Sequence, residues 1–362
     1  MKGLKTFYSR NKVTWTYIFL SPILSVLSFF YIFFLALVKF LYKNNILKSY
    51  RPRLKTISVG NITFGGSGKT PFVEYLVLSL YPKKIHAAIL LRGYKKPKKN
   101  TGLGLEDYYL LGDEACFLRE NLKGTAGVFS ASDRMAQAQI LDNDSTFDTI
   151  ILDDGFQHWR LKRDLDIVMI NSVNPFGNGL ILPLGTLREG LGSLKRADIF
   201  CLTRVDELSS SGIKTLRERL NKINPKAGII ETVHMPEYFY DALTKDRLAP
   251  EAIHGKKVGL MAGLADPSSF AKALKDLGAV IVSESYFDDH HEYSSEELDG
   301  VLDSAQKRGA EFLVTTEKDI VRWQKWLRIF GSGTKCIVLK ITLKIVKGQE
   351  VLGERLHSLY RA

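Results

Sequence analysis

The longest apolar run of the chain lies near its N-terminus. Residues 18–38, IFLSPILSVLSFFYIFFLALV, contain no charged side chain. A helix needs about 20 apolar residues to cross a bilayer core, and Trp15, Tyr17 and Tyr42 flank the run as aromatic residues do at membrane interfaces. No small-residue cleavage site follows, which argues against the alternative of a secretory signal. The pattern therefore predicts a membrane-anchoring helix within residues 1–45, with a buried soluble helix as the remaining alternative.

Basic residues flank this run on both sides. Four lysines or arginines precede residue 18, and six lie between residues 39 and 55. The larger basic flank favours a cytoplasmic location for the part that follows the helix. Two basic flanks are also compatible with a helix that lies in the interface. The sequence thus leaves open whether the helix spans the membrane or lies in its surface.

Short apolar runs alternate with helical patterns beyond residue 55. The runs of the first set are residues 87–91, 127–131, 149–154, 165–170 and 198–203. Such alternation predicts a largely parallel sheet with crossover helices on both faces. A second, shorter set of runs begins near residue 258 and ends with CIVLKI. The residues between the two sets, with three prolines, are interpreted as a connector.

A glycine-rich loop, SVGNITFGGSGKTP (58–71), follows a short strand pattern and precedes a helical one. Its end matches the motif G-x-x-x-x-G-K-[ST], although Thr63 replaces the first glycine. In that motif backbone N–H groups and the lysine bind phosphate, and the hydroxyl contacts Mg²⁺. A helix N-terminus adds a favourable dipole, so we favour a nucleotide-binding loop over a turn without ligand. The predicted binding residues are Thr63, Phe64, Gly65, Gly66, Ser67, Gly68, Lys69 and Thr70.

These patterns together define the predicted fold. It is an α/β fold with a P-loop NTPase-like parallel sheet, crossover helices, a second smaller α/β lobe and an N-terminal membrane helix. The predicted segments are the anchoring helix at 1–45, the P-loop lobe at 46–223, the connector at 224–255 and the second lobe at 256–362.

Two pairs of acidic residues are candidates for a functional role. TIILDDGFQH places Asp153 and Asp154 at the end of an apolar strand, where a P-loop fold presents its Mg²⁺-organising carboxylate. LGDEA contributes Asp113 and Glu114, for which a helix cap is the alternative interpretation. Together with the glycine loop, the Asp153 and Asp154 pair favours a magnesium nucleotide site.

Arginines and histidines add further candidates. Arginine suits bidentate phosphate recognition, and loops after parallel strands are where α/β proteins bind ligands. The arginines in such loops are Arg92, Arg134, Arg160, Arg163 and Arg188. In FDDHHEY, His290 and His291 are adjacent and would point to opposite sides of an extended chain. One of them acting with a carboxylate is therefore favoured over joint metal ligation.

The charge balance and the cysteines narrow the choice of partners. A formal net charge of +12 indicates anionic partners, which include nucleic acid, acidic membranes and phosphorylated substrates. Neither zinc-finger spacing nor an aromatic RNA-binding signature is present, so nucleic acid is not a predicted partner. The three cysteines lack C-x-x-C spacing and indicate neither a zinc site nor a disulfide framework.

The order of these motifs resembles the tetraacyldisaccharide 4'-kinase family, the lipid A 4'-kinases of Gram-negative bacteria. The likeness covers nearly the whole chain through GNITFGGSGKTP, LRGY, GDE, SDR, LDDGFQH, RDLDIV, NPFGNGLILPLGTLRE, KRAD, DHH and TTEKD. Three residues depart from the family pattern: Ala115, Trp159 and Thr186 stand where proline, arginine and proline are usual. None of these departures removes a charged or hydroxyl group that the reaction would need.

The resemblance implies an ATP-dependent kinase. It would move the γ-phosphoryl group to the 4'-hydroxyl of tetraacyl glucosamine disaccharide 1-phosphate, giving lipid IVA. The implied catalytic residues are Lys69, Asp113 and His290, with His290 from the second lobe. The implied metal ligands are Thr70, Glu114, Asp153 and Asp154, and the implied substrate contacts are Arg92, Arg134, Gln157, His158 and Arg188.

The same resemblance implies the cofactors ATP and Mg²⁺. The expected partners are the lipid A disaccharide precursor and inner-membrane lipid, and the protein is expected to be a monomer. Its expected location is the inner membrane, with the catalytic lobes on the cytoplasmic side. The alternative function is a membrane-tethered nucleotide-dependent switch or assembly ATPase, because TRVD (203–206) resembles a guanine-reading segment.

Overall fold

The structure is a computed structural model that describes residues 15–93, 112–264, 267–288, 291–323, 326 and 334–361. Within these ranges the helices are α1 (Trp15–Lys43), α2 (Lys69–Leu80), α3 (Asp113–Asn121), α4 (Arg134–Leu141), α5 (Ser210–Ile223), α6 (Pro267–Asp276), α7 (Ser295–Lys307), α8 (Glu317–Trp323) and α9 (Gln349–Arg361). The strands are β1 (Lys55–Gly60), β2 (Ala87–Arg92), β3 (Ala126–Ala131), β4 (Thr149–Asp153), β5 (Leu165–Asn171), β6 (Ile199–Thr203), β7 (Gly228–Asp241), β8 (Arg247–Leu248), β9 (Lys257–Ala262), β10 (Val280–Tyr286), β11 (Phe312–Thr316) and β12 (Lys335–Lys347).

Helix α1 contains the predicted apolar run. Its segment Phe19–Lys43 is long and apolar enough to cross a membrane, by length and composition. Large apolar side chains such as Phe29, Phe33 and Phe40 are exposed along it. The opposite side of the helix carries Ser28, which is buried. Most of the helix surface is therefore apolar and exposed, and only a narrow strip that includes Ser28 packs against the rest of the protein.

The chain folds into two compact units, each of which is built from more than one stretch of the sequence. The first consists of Met1–Tyr94, Asn121–His234 and Leu343–Ala362, and the second of Lys95–Glu120 and Met235–Thr342. The predicted segments were contiguous, whereas each unit is assembled from separate stretches of the chain. The region interpreted as a connector, 224–255, contains most of its residues in strands β7 and β8 and in a short 3-10 helix.

The first unit contains a parallel sheet with the strand order β7-β6-β5-β1-β4-β2-β3. Strand β1 lies between β4 and β5 and is parallel to both. Ile57 and Val59 of β1 are fully buried, as expected for a parallel strand covered on both faces. Helix α5 packs on one side through Leu216 and Leu220, and α4 packs elsewhere on the sheet through Leu141. Because β1 lies between two neighbouring strands, the loop that follows it starts from the interior of this sheet.

The second unit contains the parallel strands β10-β9-β11-β12. Alternate residues of these strands enter two separate hydrophobic clusters. One cluster joins Leu313 to Leu298 of α7, and the other joins Leu260 to Phe270 of α6. Helices therefore cover both faces of this smaller sheet. The predicted α/β class, with parallel sheets and crossover helices, is confirmed.

Candidate active site

The glycine-rich loop connects the end of β1 to the start of α2. Gly65 has a φ of 118° and Gly68 a φ of 76°, conformations that favour glycine. A Cβ added at Gly68 would also lie 3.1 Å from the His234 imidazole. Helix α2 begins directly after Gly68, so Lys69 and the buried Thr70 occupy its first turn. The strand, loop and helix thus follow in the order that a phosphate-binding loop requires.

Two hydrogen bonds hold this loop in place. The Asn61 side-chain amide donates to Ser67 Oγ at 2.9 Å, and both side chains are buried. The Phe64 N–H donates to the Thr186 carbonyl at 2.7 Å. Asn61 was not among the predicted site residues, although it directly precedes the glycine-rich part of the loop in GNITFGGSGKTP. Its function is clear only in three dimensions, because it bridges the two ends of the loop.

The turn after β4 carries both predicted aspartates. Asp153 ends the strand, is buried, and lies opposite Val59 of β1 in the sheet register. Asp154 follows with a φ of 54°, in the left-handed region. Arg134 Nη1 donates to the carbonyl oxygens of both aspartates, at 2.9 and 3.3 Å. Arg134 therefore stabilises the backbone of this turn, in addition to any contact that it makes with a substrate.

Gly155 completes the turn by allowing close packing. A Cβ at this position would lie 2.7 Å from Leu152 Cβ and 2.8 Å from Ser58 Oγ. These distances are too short for any side chain without movement of the strands. The segment DDG therefore needs its glycine to bring the aspartates against β1.

Asp154 is the centre of an ionic cluster. Arg188 Nη1 donates to both of its carboxylate oxygens, at 2.8 and 2.7 Å, and Lys69 Nζ lies 3.5 Å from Oδ1. Burial by itself would raise the pKa of Asp154, but the Lys69 and Arg188 cations outweigh it and hold the pKa below its usual value. The cluster concentrates two cations beside the glycine loop, where a triphosphate would carry its negative charge.

Gln157 and His158 follow the turn. The Gln157 side-chain amide donates to the Asn61 carbonyl at 2.9 Å, so it also supports the loop. Burial, together with the nearby Arg134 and Arg163 cations, lowers the pKa of His158 to about 3. The His158 ring is therefore neutral at physiological pH and would contact a ligand as a hydrogen-bonding group without charge.

Helix α1 is joined to the strand-loop region that carries Arg188. The Tyr31 hydroxyl donates to the Arg188 carbonyl at 3.1 Å, and Lys39 forms a 2.7 Å ion pair with the buried Glu189. Ser28 Oγ accepts from the Leu184 N–H at 2.9 Å. The apolar helix thus contacts the same segment that supplies a cation to the Asp154 cluster. None of these polar contacts was predicted, because the hydropathy pattern shows only the apolar face.

Asp113 and Glu114 lie in the second unit, at the start of α3. Arg322 donates to Asp113 Oδ2 through both Nε and Nη2, the former at 3.2 Å. The Arg322 side chain is almost fully buried and contacts Asp319 Oδ1 at 3.4 Å. Arg322 therefore pairs with both aspartates. Two of its N–H groups donate to the same oxygen of the Asp113 carboxylate.

Asp319, which contacts Arg322, is itself fixed by three further hydrogen bonds. It is fully buried and accepts hydrogen bonds from the Tyr293 hydroxyl at 2.8 Å, Thr316 Oγ1 at 2.7 Å and the Gly263 N–H at 3.1 Å. Burial, followed by the Asp319 charge, raises the pKa of Tyr293, so its hydroxyl remains protonated as a donor. The segment TTEKD and Arg322 therefore form a rigid support for Asp113.

The remaining predicted residues are His290, Arg92 and Glu114. His290 lies outside the described residues. The Nε2 atom of its neighbour His291 lies 3.0 Å from a Glu297 carboxylate oxygen. Arg92 is exposed at the end of β2, and Glu114 is half-buried. The predicted site residues thus fall into two groups, with Asp113 and Glu114 in the second unit and the other described ones in the first.

The donor set is compatible with Mg²⁺. Within the described residues no group of three or more His, Cys, Asp or Glu side chains is arranged to hold a metal ion by itself. Mg²⁺ usually takes one or two carboxylates together with waters and substrate phosphates, so such a cage is not needed. Asp153 and Thr70 supply a carboxylate and a hydroxyl of the required kind in the first unit.

Known proteins match this chain over nearly its whole length. Residues 20–361 match the family described as tetraacyldisaccharide-1-P 4'-kinase. A tetraacyldisaccharide 4'-kinase from Halothermothrix orenii is 34% identical over 320 residues, covering 84% of this chain and 83% of the relative. One from Elusimicrobium minutum is 34% identical over 331 residues, covering 89% and 87%.

A solved structure also resembles this fold. The crystal structure of LpxK from Aquifex aeolicus in complex with ATP aligns with a TM-score of 0.70 and 26% sequence identity. The alignment covers 94% of this chain and 99% of that chain. The sequence match over residues 20–361 and this structural likeness agree, and the chain belongs to the tetraacyldisaccharide-1-P 4'-kinase family.

Proposed function

We propose that the protein transfers the γ-phosphoryl group of ATP to the 4'-hydroxyl of a tetraacyl glucosamine disaccharide 1-phosphate, giving lipid IVA in lipid A biosynthesis. The observation that carries this proposal is the cluster of Lys69, Asp154 and Arg188 beside a glycine loop, in a chain of this family. Family membership does not favour the alternative of a nucleotide-dependent switch or assembly ATPase.

ATP binds at the glycine loop in this proposal. Residues 63–70 surround the phosphates with backbone N–H groups, and the Lys69 ammonium neutralises the charge that develops on the transferred group. Thr70, Asp153, Asp154 and Glu114 would hold Mg²⁺, which when bound would neutralise negative charge on the phosphates. Asp154 also fixes the positions of Lys69 and Arg188, because it pairs with both.

Asp113 accepts the proton of the acceptor hydroxyl. A sugar hydroxyl is a poor nucleophile at neutral pH, and a carboxylate within hydrogen-bond reach can take its proton as the new bond forms. The 4'-oxygen forms a bond to the γ-phosphorus, the bond from that phosphorus to the β–γ bridging oxygen breaks, and ADP leaves. Arg322 orients Asp113 from one side, and His290 is proposed to act with it.

The membrane location follows from the chemistry of the acceptor. Acyl chains that remain in the bilayer place the sugar at its surface, so the enzyme must work there. We propose that α1 anchors the protein to the inner membrane with the catalytic lobes on the cytoplasmic side, and that it acts as a monomer. Arg92, Arg134, Gln157, His158 and Arg188 remain the proposed substrate contacts.

Acceptor dependence of ATP turnover tests the proposed function. The full-length protein is mixed with ATP, Mg²⁺ and detergent micelles, and ADP release is followed with and without the disaccharide precursor. We expect rapid ADP release only when the precursor is present, because a kinase site transfers little to water. Equal ADP release without the precursor, or release that requires GTP and a protein partner, would support the switch or assembly ATPase instead.

A further inference from the structure

An open cavity lies where the C-terminal end of α1 meets the segment that follows the DDG turn. It has a volume of about 330 Å³ and is lined by residues of the first unit alone, among them Lys39, Tyr42, Lys43, Trp159, Lys162 and Arg163. None of these residues belongs to the proposed phosphoryl-transfer machinery. The cavity therefore needs a separate explanation.

The lining of this cavity is strongly basic. Five of its residues are lysines or arginines, and Asp166 is its one acidic residue. Arg163 and Asp166 neutralise each other through two hydrogen bonds, at 2.9 and 3.2 Å, and form a fixed part of the wall. Arg51 pairs with Asp164, and Lys39 pairs with Glu189. Three of the five cations are thus already balanced by carboxylates.

The other two cations, Lys43 and Lys162, are exposed and have no ion-pair partner among the residues that the structure describes. They come from different elements, the last turn of α1 and the segment before β5, and the fold brings them to one cavity. Two unbalanced ammonium groups around an opening of this size suit one phosphate group with two or more anionic oxygens within reach.

The aromatic wall of the cavity suits a membrane surface. The Trp159 ring has Lys39 Nζ 5.6 Å from its centre and the Arg196 guanidinium carbon at 4.3 Å. Tyr42 adds a second amphipathic ring, and such residues concentrate where hydrocarbon meets the headgroup layer.

The position of the cavity identifies the source of the phosphate. The exposed apolar side chains of α1, including Phe33, Phe34, Leu37 and Phe40, end within one turn of Lys39 and Lys43. If α1 enters the bilayer as proposed, the cavity lies at the level of the lipid headgroups. Basic pockets at such helix ends bind anionic headgroups.

We infer that this cavity binds the phosphate of an anionic membrane phospholipid, with Lys43 and Lys162 as the charged ligands and Trp159 as the wall. The acyl chains of that lipid would lie along the exposed apolar face of α1. This inference rests on the proposed membrane association but does not depend on the phosphoryl-transfer reaction.

The test uses the full-length protein and short-chain lipids, with Trp159 fluorescence as the signal. The probes are dihexanoyl phosphatidylglycerol, dihexanoyl phosphatidylcholine and inorganic phosphate, each titrated below its micelle concentration where it has one. We expect saturable binding of the phosphatidylglycerol and much weaker binding of the other two. The variant Trp159→Phe should abolish the signal, which assigns it to this cavity.

Two double variants distinguish binding in this cavity from nonspecific electrostatic attraction of the lipid to a basic protein. Lys43→Gln with Lys162→Gln should weaken phosphatidylglycerol binding by roughly 10- to 30-fold, the factor expected for the loss of two favourable exposed ion pairs. Lys48→Gln with Lys195→Gln removes the same charge from exposed positions outside the cavity and should leave binding nearly unchanged. If the first double variant fails to fold, Lys162→Gln alone replaces it.

Four results would overturn the inference. Equal weakening by both double variants would indicate diffuse attraction, and an unchanged affinity in the first would remove the two ligands. Inorganic phosphate binding as tightly as phosphatidylglycerol would indicate a site for a soluble anion. Competition by the disaccharide precursor at equal affinity would assign the cavity to the substrate's own phosphate. Because no arm requires ATP or turnover, these failures differ from a failure of the proposed kinase function.

Discussion

Replacing Asp113 by asparagine is expected to lower kcat by about 10²- to 10⁴-fold, the usual contribution of a positioned general base. The amide cannot take the acceptor proton, and it also loses the charge that pairs with Arg322. The KM for ATP should change little, because Asp113 is not proposed to contact the nucleotide. Initial rates at saturating ATP and precursor, measured for both proteins, check this prediction.

The control for this variant is Asp299→Asn, which removes an exposed carboxylate from α7 in the same unit. It should retain full activity. An Asp113→Asn enzyme that keeps the parent kcat while remaining folded would exclude Asp113 as the base. The variant Arg322→Lys adds a second check, because lysine keeps the charge but lacks the rigid, planar set of donors with which Arg322 holds Asp113. Combined with Asp113→Asn, Arg322→Lys should add little further loss, since both changes affect one interaction.

Replacing Lys69 by alanine is expected to lower kcat/KM by roughly 10²- to 10³-fold, as removal of one charge-stabilising donor does at other reaction centres. The ammonium lies in the first turn of α2 and 3.5 Å from the Asp154 carboxylate, beside the proposed phosphates. Its loss should weaken stabilisation of the transferred phosphoryl group. Steady-state kinetics with ATP as the varied substrate measure the effect.

Lys83→Ala is the matched control for Lys69→Ala. It removes an exposed lysine just after the other end of α2 and should leave kcat/KM unchanged. A folded Lys69→Ala enzyme with parent kinetics would contradict the assignment of the glycine loop to ATP. Comparable losses in both variants would indicate a general effect of charge, and the loop would then need another explanation.

Features set by neighbouring residues were predicted well from the sequence. The glycine loop, the strand before it and the helix after it depend on local conformational preferences, which the sequence displays directly. The same holds for α1, where an uninterrupted apolar run determines a helix. Asp153 at a strand end was also predicted, because the end of an apolar run identifies the carboxyl edge of a parallel sheet.

Features that depend on distant partners were not predictable in the same way. Asp113 and Arg322 are separated by 209 positions, and no periodicity relates them. Arg134 is a further case: the sequence did not indicate that its donors hold the carbonyls of Asp153 and Asp154, and its contact with the substrate stays a prediction. The assembly of each unit from separate stretches of the chain was likewise not visible in the sequence pattern.

The polar contacts of α1 were also not predictable from the hydropathy pattern. Ser28, Tyr31 and Lys39 lie in or beside an apolar run, where a hydropathy pattern records them as minor interruptions. In the structure each bonds to the segment from Ile181 to Glu189. Those bonds connect α1 to the backbone of Arg188, whose side chain pairs with Asp154.

The position of the new phosphate on the product tests the central claim most directly. The full-length protein is incubated with ATP, Mg²⁺ and tetraacyl disaccharide 1-phosphate, and the isolated lipid is analysed by mass spectrometry and ³¹P NMR. We expect one added phosphate per molecule, attached at the 4'-oxygen, together with one ADP per product. ATP consumed with no phosphorylated lipid, or phosphate attached at another oxygen, would contradict the claim.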